Sequence, residues 1–183
     1  MRTGIALGEA QELVLGGVAP LPPEKCALEG ALGRVLAEEV TASRTLPPAD
    51  VSAMDGYAVR AADLAGATPA QPRSLPVVYE VAAGGRGARP LRAGEAARIF
   101  TGAPLPEGAD SVVRQEDARH VGDRVELGLA VPRGENVRRA GEDVRAGEAV
   151  LGPGTRLGPA HLGLLASLGR TRIAVYRRPR VAI

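Results

Sequence analysis

Asp55 is a carboxylate followed at once by a glycine, Gly56, and then by the apolar run Tyr57-Ala58-Val59. A carboxylate at the edge of a loop, just before a strand, can turn its oxygens toward a ligand, and the glycine beside it lets the backbone turn tightly. Asp-Gly is equally an ordinary turn pair, so the local sequence leaves both readings open. Thr101-Gly102 offers a hydroxyl beside a residue that permits close backbone approach, or else a turn that ends a strand. Farther on, Arg138, Arg139, Glu142 and Asp143 crowd two guanidinium groups and two carboxylates together. Asp143 lies four residues after Arg139, the spacing of a simple ion pair, and Glu142 reads as a surface acid.

Several chemistries are excluded by composition. Lys25 is the only lysine, and it sits in Pro23-Glu24-Lys25-Cys26, so no Gly-Lys-Ser/Thr phosphate loop exists. The net charge of +2 is small and aromatic residues make up only 2%, which leaves nucleic acid without a stacking platform. Arg177-Arg178-Pro179-Arg180 reads as a solvated linker rather than a phosphate patch. Cys26 has no partner for a disulfide, consistent with a reducing compartment. It precedes the pattern Leu28, Leu32, Val35, Leu36, where a small buried thiol fits. His120 and His161 lie far apart and lack metal-ligand spacing to Cys26; His161 reads as a surface residue. No apolar run approaches the roughly 18 residues of a membrane span, and no basic-then-apolar signal segment opens the chain, so a cytoplasmic protein is expected.

The elements that must position these groups follow from periodicity and punctuation. Leu7, Ala10, Leu13 and Val14 predict a helix over 6–17, ended by Gly16-Gly17. A second helix is expected over 27–35 and a strand over 37–41. Pro47-Pro48 marks a boundary, because consecutive prolines stiffen the chain and push the preceding residue out of helical geometry. From there to about 143 the pattern predicts strands at 75–82, 97–100, 111–114 and 124–129, separated by glycine and proline. Gly84-Gly85-Arg86-Gly87 lacks lysine and reads as a mobile loop. Strand 149–151, helix 159–168 with Pro159 at its first position and Gly169 at its end, and strand 173–176 follow, and 180–183 reads as the start of another strand. The 24 glycines and 15 prolines suit this turn-rich arrangement.

Four segments in order carry a family likeness: Ser52-Ala53-Met54-Asp55-Gly56-Tyr57-Ala58-Val59, Arg98 through Asp110 with Thr101-Gly102-Ala103-Pro104 inside it, Glu135 through Val144, and Gly154 through Gly169. Together they resemble the amino-terminal part of the MoeA-type molybdopterin molybdenumtransferases, the family that includes the carboxy-terminal domain of gephyrin. The likeness runs from about residue 5 to Ile183. One departure is Val51, where the family pattern carries asparagine.

The resemblance implies an elongated α+β chain of more than one domain, in which a β-rich module at 46–143 is inserted into a small mixed α/β unit formed by 21–45 and 144–176. Residues 1–20 would be a helix packing on a large α/β domain, and 177–183 the first strand of that domain, which the chain stops short of. It implies a homodimer whose cleft lies between the module of one subunit and the α/β domain of the other. The implied reaction is insertion of molybdenum from molybdate into adenylylated molybdopterin, with release of AMP. Every participant is anionic, so carboxylates would repel them unless a divalent cation intervenes, and Mg²⁺ fits because it takes oxygen ligands and keeps waters. Asp55 and Asp143 would hold or orient that ion. Thr101 would donate to an oxyanion beside Gly102, and Arg138 and Arg139 would contact phosphate or molybdate oxygens. This chain alone would then be inactive. Two other roles compete: an interaction scaffold of the gephyrin type, which the arginine-rich, lysine-poor composition disfavours, and a non-catalytic structural piece.

Overall fold

Short alternating segments between turns can bury an apolar face only by pairing with one another, and that pairing organises the chain. The structure, a computed structural model, describes residues 4–85 and 89–182. Its elements in order are helix α1 (Leu7–Leu15) and strands β1 (Pro23–Ala27), β2 (Val40–Thr41), β3 (Val51–Ser52), β4 (Gly56–Val59), β5 (Arg73–Val81) and β6 (Ala96–Ile99). There follow β7 (Ser111–Arg114), β8 (Ala118–Val121), β9 (Arg124–Leu127), β10 (Val137–Arg138), β11 (Ala149–Leu151), helix α2 (Pro159–Ser167) and β12 (Arg172–Tyr176). The chain divides into two compact units, one made of 1–43 and 147–183, the other of 44–146.

In the second unit β4 through β9 form a six-stranded sheet in the order β7-β4-β6-β5-β9-β8. All neighbours are antiparallel except β5 and β6. One core cluster gathers Tyr57, Val59, Leu64, Leu75, Val113, Val125 and Leu127; another gathers Ala58, Val81, Leu91, Ala97, Ile99 and Val112. Val59 and Ala58, adjacent in β4, serve different clusters because successive strand residues face opposite ways. A fully buried leucine such as Leu127 contributes about 1.5–3 kcal/mol in place of aromatic mass. The ends of this unit meet: Leu46 and Val144 form a bridge, and Thr45 Oγ1 accepts from the Ala146 N–H at 3.3 Å.

At the rim of the sheet Arg89 donates two parallel hydrogen bonds of 2.8 Å to Glu95, and the Arg92 N–H adds a third at 3.0 Å. The Arg89 guanidinium, foremost, and that backbone donor lower the Glu95 carboxyl from 4.5 to about 2. A carboxyl depressed in the folded state stabilises fully above its unfolded value and loses that contribution as pH falls through the folded one. Melting temperatures of the wild type and Glu95→Gln should therefore differ at neutral pH and converge as pH falls from 4.5 to about 2.

In the first unit β1 pairs with β12 and β2 with β11, both antiparallel. Their core holds Leu36, Leu157, Leu165, Ile173 and Val175, with Cys26 partly buried against it. His161 caps α2, its Nδ1 accepting the Gly158 N–H at 3.0 Å. The helix expected over 27–35 is absent; only a single 3₁₀ turn forms, at Leu28–Gly30. The reason is competition from distant backbone: Gly33 N–H donates to Leu157, Leu36 N–H to Thr155 and Ala37 N–H to Ala174. Residues 177–182 form no strand, contrary to expectation, and Ile183 lies outside the described residues. A strand needs a partner ladder, and among the described residues the backbone contact shown is one bond of 3.2 Å from Arg177 to Pro22. Within the glycine loop, Arg86 and Gly87 also lie outside the described residues. Helix α1 buries none of its residues in this unit. Among the described residues no helix is long and apolar enough to cross a membrane.

Candidate functional site

The segment 50–55 runs between two other pieces of chain and holds both. On one side β3 pairs with β10, Val51 facing Arg138 and Ser52 facing Val137, and the Ala53 N–H extends the contact to Asn136 at 2.9 Å. On the other side Ser52 N–H donates to Ala103 at 2.9 Å, Gly102 N–H to Ser52 at 2.9 Å and Leu105 N–H to Asp50 at 2.8 Å. Val51, which stands at the departure from the family pattern, is buried here. Buried Ser52 turns its hydroxyl onto the Met54 carbonyl and so shapes the bend that leads into Asp55.

Asp55 is half-buried, and its Oδ1 accepts two hydrogen bonds of 2.7 Å, one from the Thr101 N–H and one from the Thr101 hydroxyl. The Thr101 amide, then its hydroxyl, then the charge of Arg98 hold the carboxyl below the ordinary aspartate range. Both bonds fall on one oxygen, which leaves Oδ2 without a hydrogen bond among the described residues. Gly102 follows with φ +79°, a left-handed conformation that a side chain resists, and this turn returns its N–H to Ser52. Gly56 is needed for a different reason: a Cβ there would stand 2.0 Å from the Val113 carbonyl oxygen of β7. The structure thus brings Asp55, Thr101 and Gly102 into one corner.

Asp143 belongs to a second group. Its Oδ1 accepts from Arg138 Nη2, and Arg138 Nε also reaches Glu142 at 3.3 Å. The pairing of Asp143 with Arg139 that the spacing allowed is not formed. Arg139 instead donates to Asp50 Oδ2 at 2.6 Å, and the Ala140 N–H donates to Asp50 Oδ1 at 2.9 Å. Asp50 is pulled below its ordinary range chiefly by that Ala140 amide, with Arg139 assisting. Glu142 is lowered in turn by the Arg139 N–H and then by Arg138. Both arginines therefore already carry carboxylate partners.

Asp55 and Asp143 take separate partners, and among the described residues no three His, Cys, Asp or Glu side chains gather in a metal-binding group. What each offers is an exposed or half-buried carboxylate oxygen, a hard ligand of the kind Mg²⁺ accepts one or two at a time while keeping its waters. Taken singly, either carboxylate has the chemistry to accept a hydrated ion, and no closed cage forms among the described residues. Asp50 and Gln115 were not legible as parts of this region, and Arg98 was legible only as a member of the motif, with no role given to it. Asp50 follows Pro47-Pro48 closely, the one local signal that it belongs to a fixed turn.

Comparison with known proteins gives the family. The family model described as the MoeA N-terminal region (domain I and II) matches residues 5–169. Molybdopterin molybdenumtransferase 2 of Mycobacterium tuberculosis is 42% identical over 175 residues, which cover 96% of this chain and 43% of that protein. Molybdopterin molybdenumtransferase of a Nostoc species is 45% identical over 157 residues, covering 85% of this chain and 36% of its own length. The crystal structure of the molybdopterin biosynthesis moeA protein from Pyrococcus horikoshii OT3 superposes with a TM-score of 0.89 at 38% identity, over 94% of this chain and 46% of that one. The chain spans less than half the length of these relatives. It is a mixed α/β chain with the MoeA-like fold, and it belongs to the family defined by the MoeA N-terminal region.

Proposed function

We propose that this chain is the amino-terminal part of a molybdopterin molybdenumtransferase, working in molybdenum cofactor biosynthesis. The substrates would be molybdate and adenylylated molybdopterin, and the products AMP and the molybdenum-loaded pterin. The observation that carries the reading furthest is Asp55: a carboxylate fixed through one oxygen by Thr101, with the other oxygen open, inside the motif the family likeness rests on.

In this reading Asp55 stays ionised across neutral and mildly acidic pH, since Thr101 holds its carboxyl low. Asp55 and Asp143 would be the residues that hold or orient a hydrated Mg²⁺. When bound, such an ion offsets the negative charge of phosphate and molybdate oxygens and polarises the phosphoanhydride. Thr101 keeps its N–H and hydroxyl on Asp55 and fixes the direction of the open oxygen; a transfer of its hydroxyl to a substrate oxyanion would release that hold. Gly102 lets the backbone come close. Arg138, paired with Asp143 and Glu142, and Arg139, paired with Asp50, would turn their remaining N–H donors to substrate oxygens. A homodimer would supply the rest of the cleft from the part of the protein beyond this chain, in the cytoplasm, and the scaffold role of the gephyrin type is the competing reading.

The test is a titration of the full-length protein with adenylylated molybdopterin and molybdate, with and without Mg²⁺. AMP release that requires all three is expected. Tight pterin binding with no AMP release under any condition would favour the scaffold.

A further inference from the structure

Arg98 sits on β6 directly opposite Tyr57 of β4, on the sheet face beside Asp55. Its guanidinium carbon lies 5.1 Å from the ring centre of Tyr57 and 5.1 Å from that of Phe100. A cation held near two rings gains from the negative faces of both. Nη1 donates to the Gly56 carbonyl at 3.2 Å and Nη2 to the Gln115 Oε1 at 2.6 Å. Gln115 in turn donates its N–H to the Asp55 carbonyl at 3.0 Å. The contacts close a ring: Arg98 to Gln115, Gln115 to Asp55, Gly56 back to Arg98. The carbonyls of both Asp55 and Gly56 are thereby held.

The same guanidinium touches the other arm of the site. Phe100 directly precedes Thr101, whose N–H and hydroxyl clasp the Asp55 side chain. Arg98 therefore grips the segment that carries Asp55 through Gly56 and Tyr57, and the segment that carries Thr101 through Phe100. An arginine placed only to keep a sheet surface solvated needs none of these four contacts.

We propose that Arg98 is a positioning residue: it fastens the Asp55 segment to the Thr101 segment and so sets where the open carboxylate oxygen of Asp55 points. The proposal rests on the reading of Asp55 as a ligand-facing carboxylate. The planar fork is what the role requires, since one group must donate in two directions while lying against two rings. A lysine carries the charge but offers neither the fork nor the stacking.

The test is amide hydrogen exchange and amide proton shifts of this chain, free of ligand, in the wild type, Arg98→Lys, Gln115→Ala and the double variant. Arg98→Lys is expected to speed exchange at Thr101 and Gln115 by about tenfold and to move the Thr101 amide proton, while the amides of β9 stay as protected as before. Added to Gln115→Ala, the same change should do less than it does alone, because the two residues act as one clamp. Wild-type exchange and shifts in Arg98→Lys would overturn the proposal, since charge alone would then suffice. So would a loss of protection spread evenly over β9, or strict additivity with Gln115→Ala. None of these readouts depends on catalysis. Expected exchange data together with a full-length protein that inserts no molybdenum would sink the functional reading and leave the clamp standing.

Discussion

Asp55→Asn in the full-length protein is expected to lower molybdenum insertion by at least about a hundredfold, with the melting temperature moving by less than about 3 °C. The asymmetry of the contacts is the reason. Asparagine keeps an Oδ1 that can accept both Thr101 donors, so the corner retains its geometry. What disappears is the charge and the free oxygen, replaced by an amide that repels a cation. Insertion assays beside thermal melts check this. A large fall in melting temperature would instead make Asp55 a turn residue. The pH dependence has a definite sign: because the Asp55 carboxyl is held below its ordinary 3.8, its protonation should not limit activity until the pH falls beneath that value.

Gly56→Ala should give the opposite pattern, a loss of stability. The added carbon would sit 2.0 Å from the Val113 oxygen, 2.9 Å from its carbonyl carbon and 3.0 Å from the Arg114 Cα. All three are backbone atoms of β7, so no side chain can swing aside; β4 and β7 must separate along their ladder. Overpacking that moves strands costs upwards of about 3 kcal/mol, which lowers the melting temperature of a chain this size by roughly 6–12 °C. Gly163→Ala, in α2, is the control. Its new carbon meets nothing within 4 Å, and alanine favours the helix, so the melt should stay level or rise.

These two residues also show what a sequence can and cannot disclose. Asp55-Gly56 was visible as a carboxylate at a loop edge, and the strands expected at 75–82, 97–100, 111–114 and 124–129, found at 73–81, 96–99, 111–114 and 124–127, were visible as short apolar stretches bounded by turn residues, the first of them alternating. The glycine's real constraint, the approach of β7 from far along the chain, leaves no local trace. Strand β8 was missed because Ala118-Arg119-His120-Val121 is mostly exposed and carries little apolar signal. Strand β1 was missed because proline and charged residues hid it, and its ladder comes from residues 172–176. The helix expected at 27–35 failed where tertiary hydrogen bonds outbid a plausible apolar stripe. The acids and arginines of 138–143 were legible as a cluster, yet their actual pairing depends on Asp50, which folding alone brings into reach.

The meeting of residues 46 and 144 has a counterpart on the other side of the junction. Ala42 donates its N–H to Glu148 at 2.8 Å and accepts from the Gly147 N–H at 2.9 Å. In the order of the chain, everything from 44 to 146 is therefore an insertion between two residues of one ladder in the unit made of 1–43 and 147–183. An insertion between paired residues can be trimmed to a tight turn, lengthened or exchanged while the ladder stays paired, because closing a longer loop costs only the logarithm of its length. The portion bearing Asp55 is, in covalent terms, a cartridge: its chemistry can diversify while the strands that hold it remain as they are.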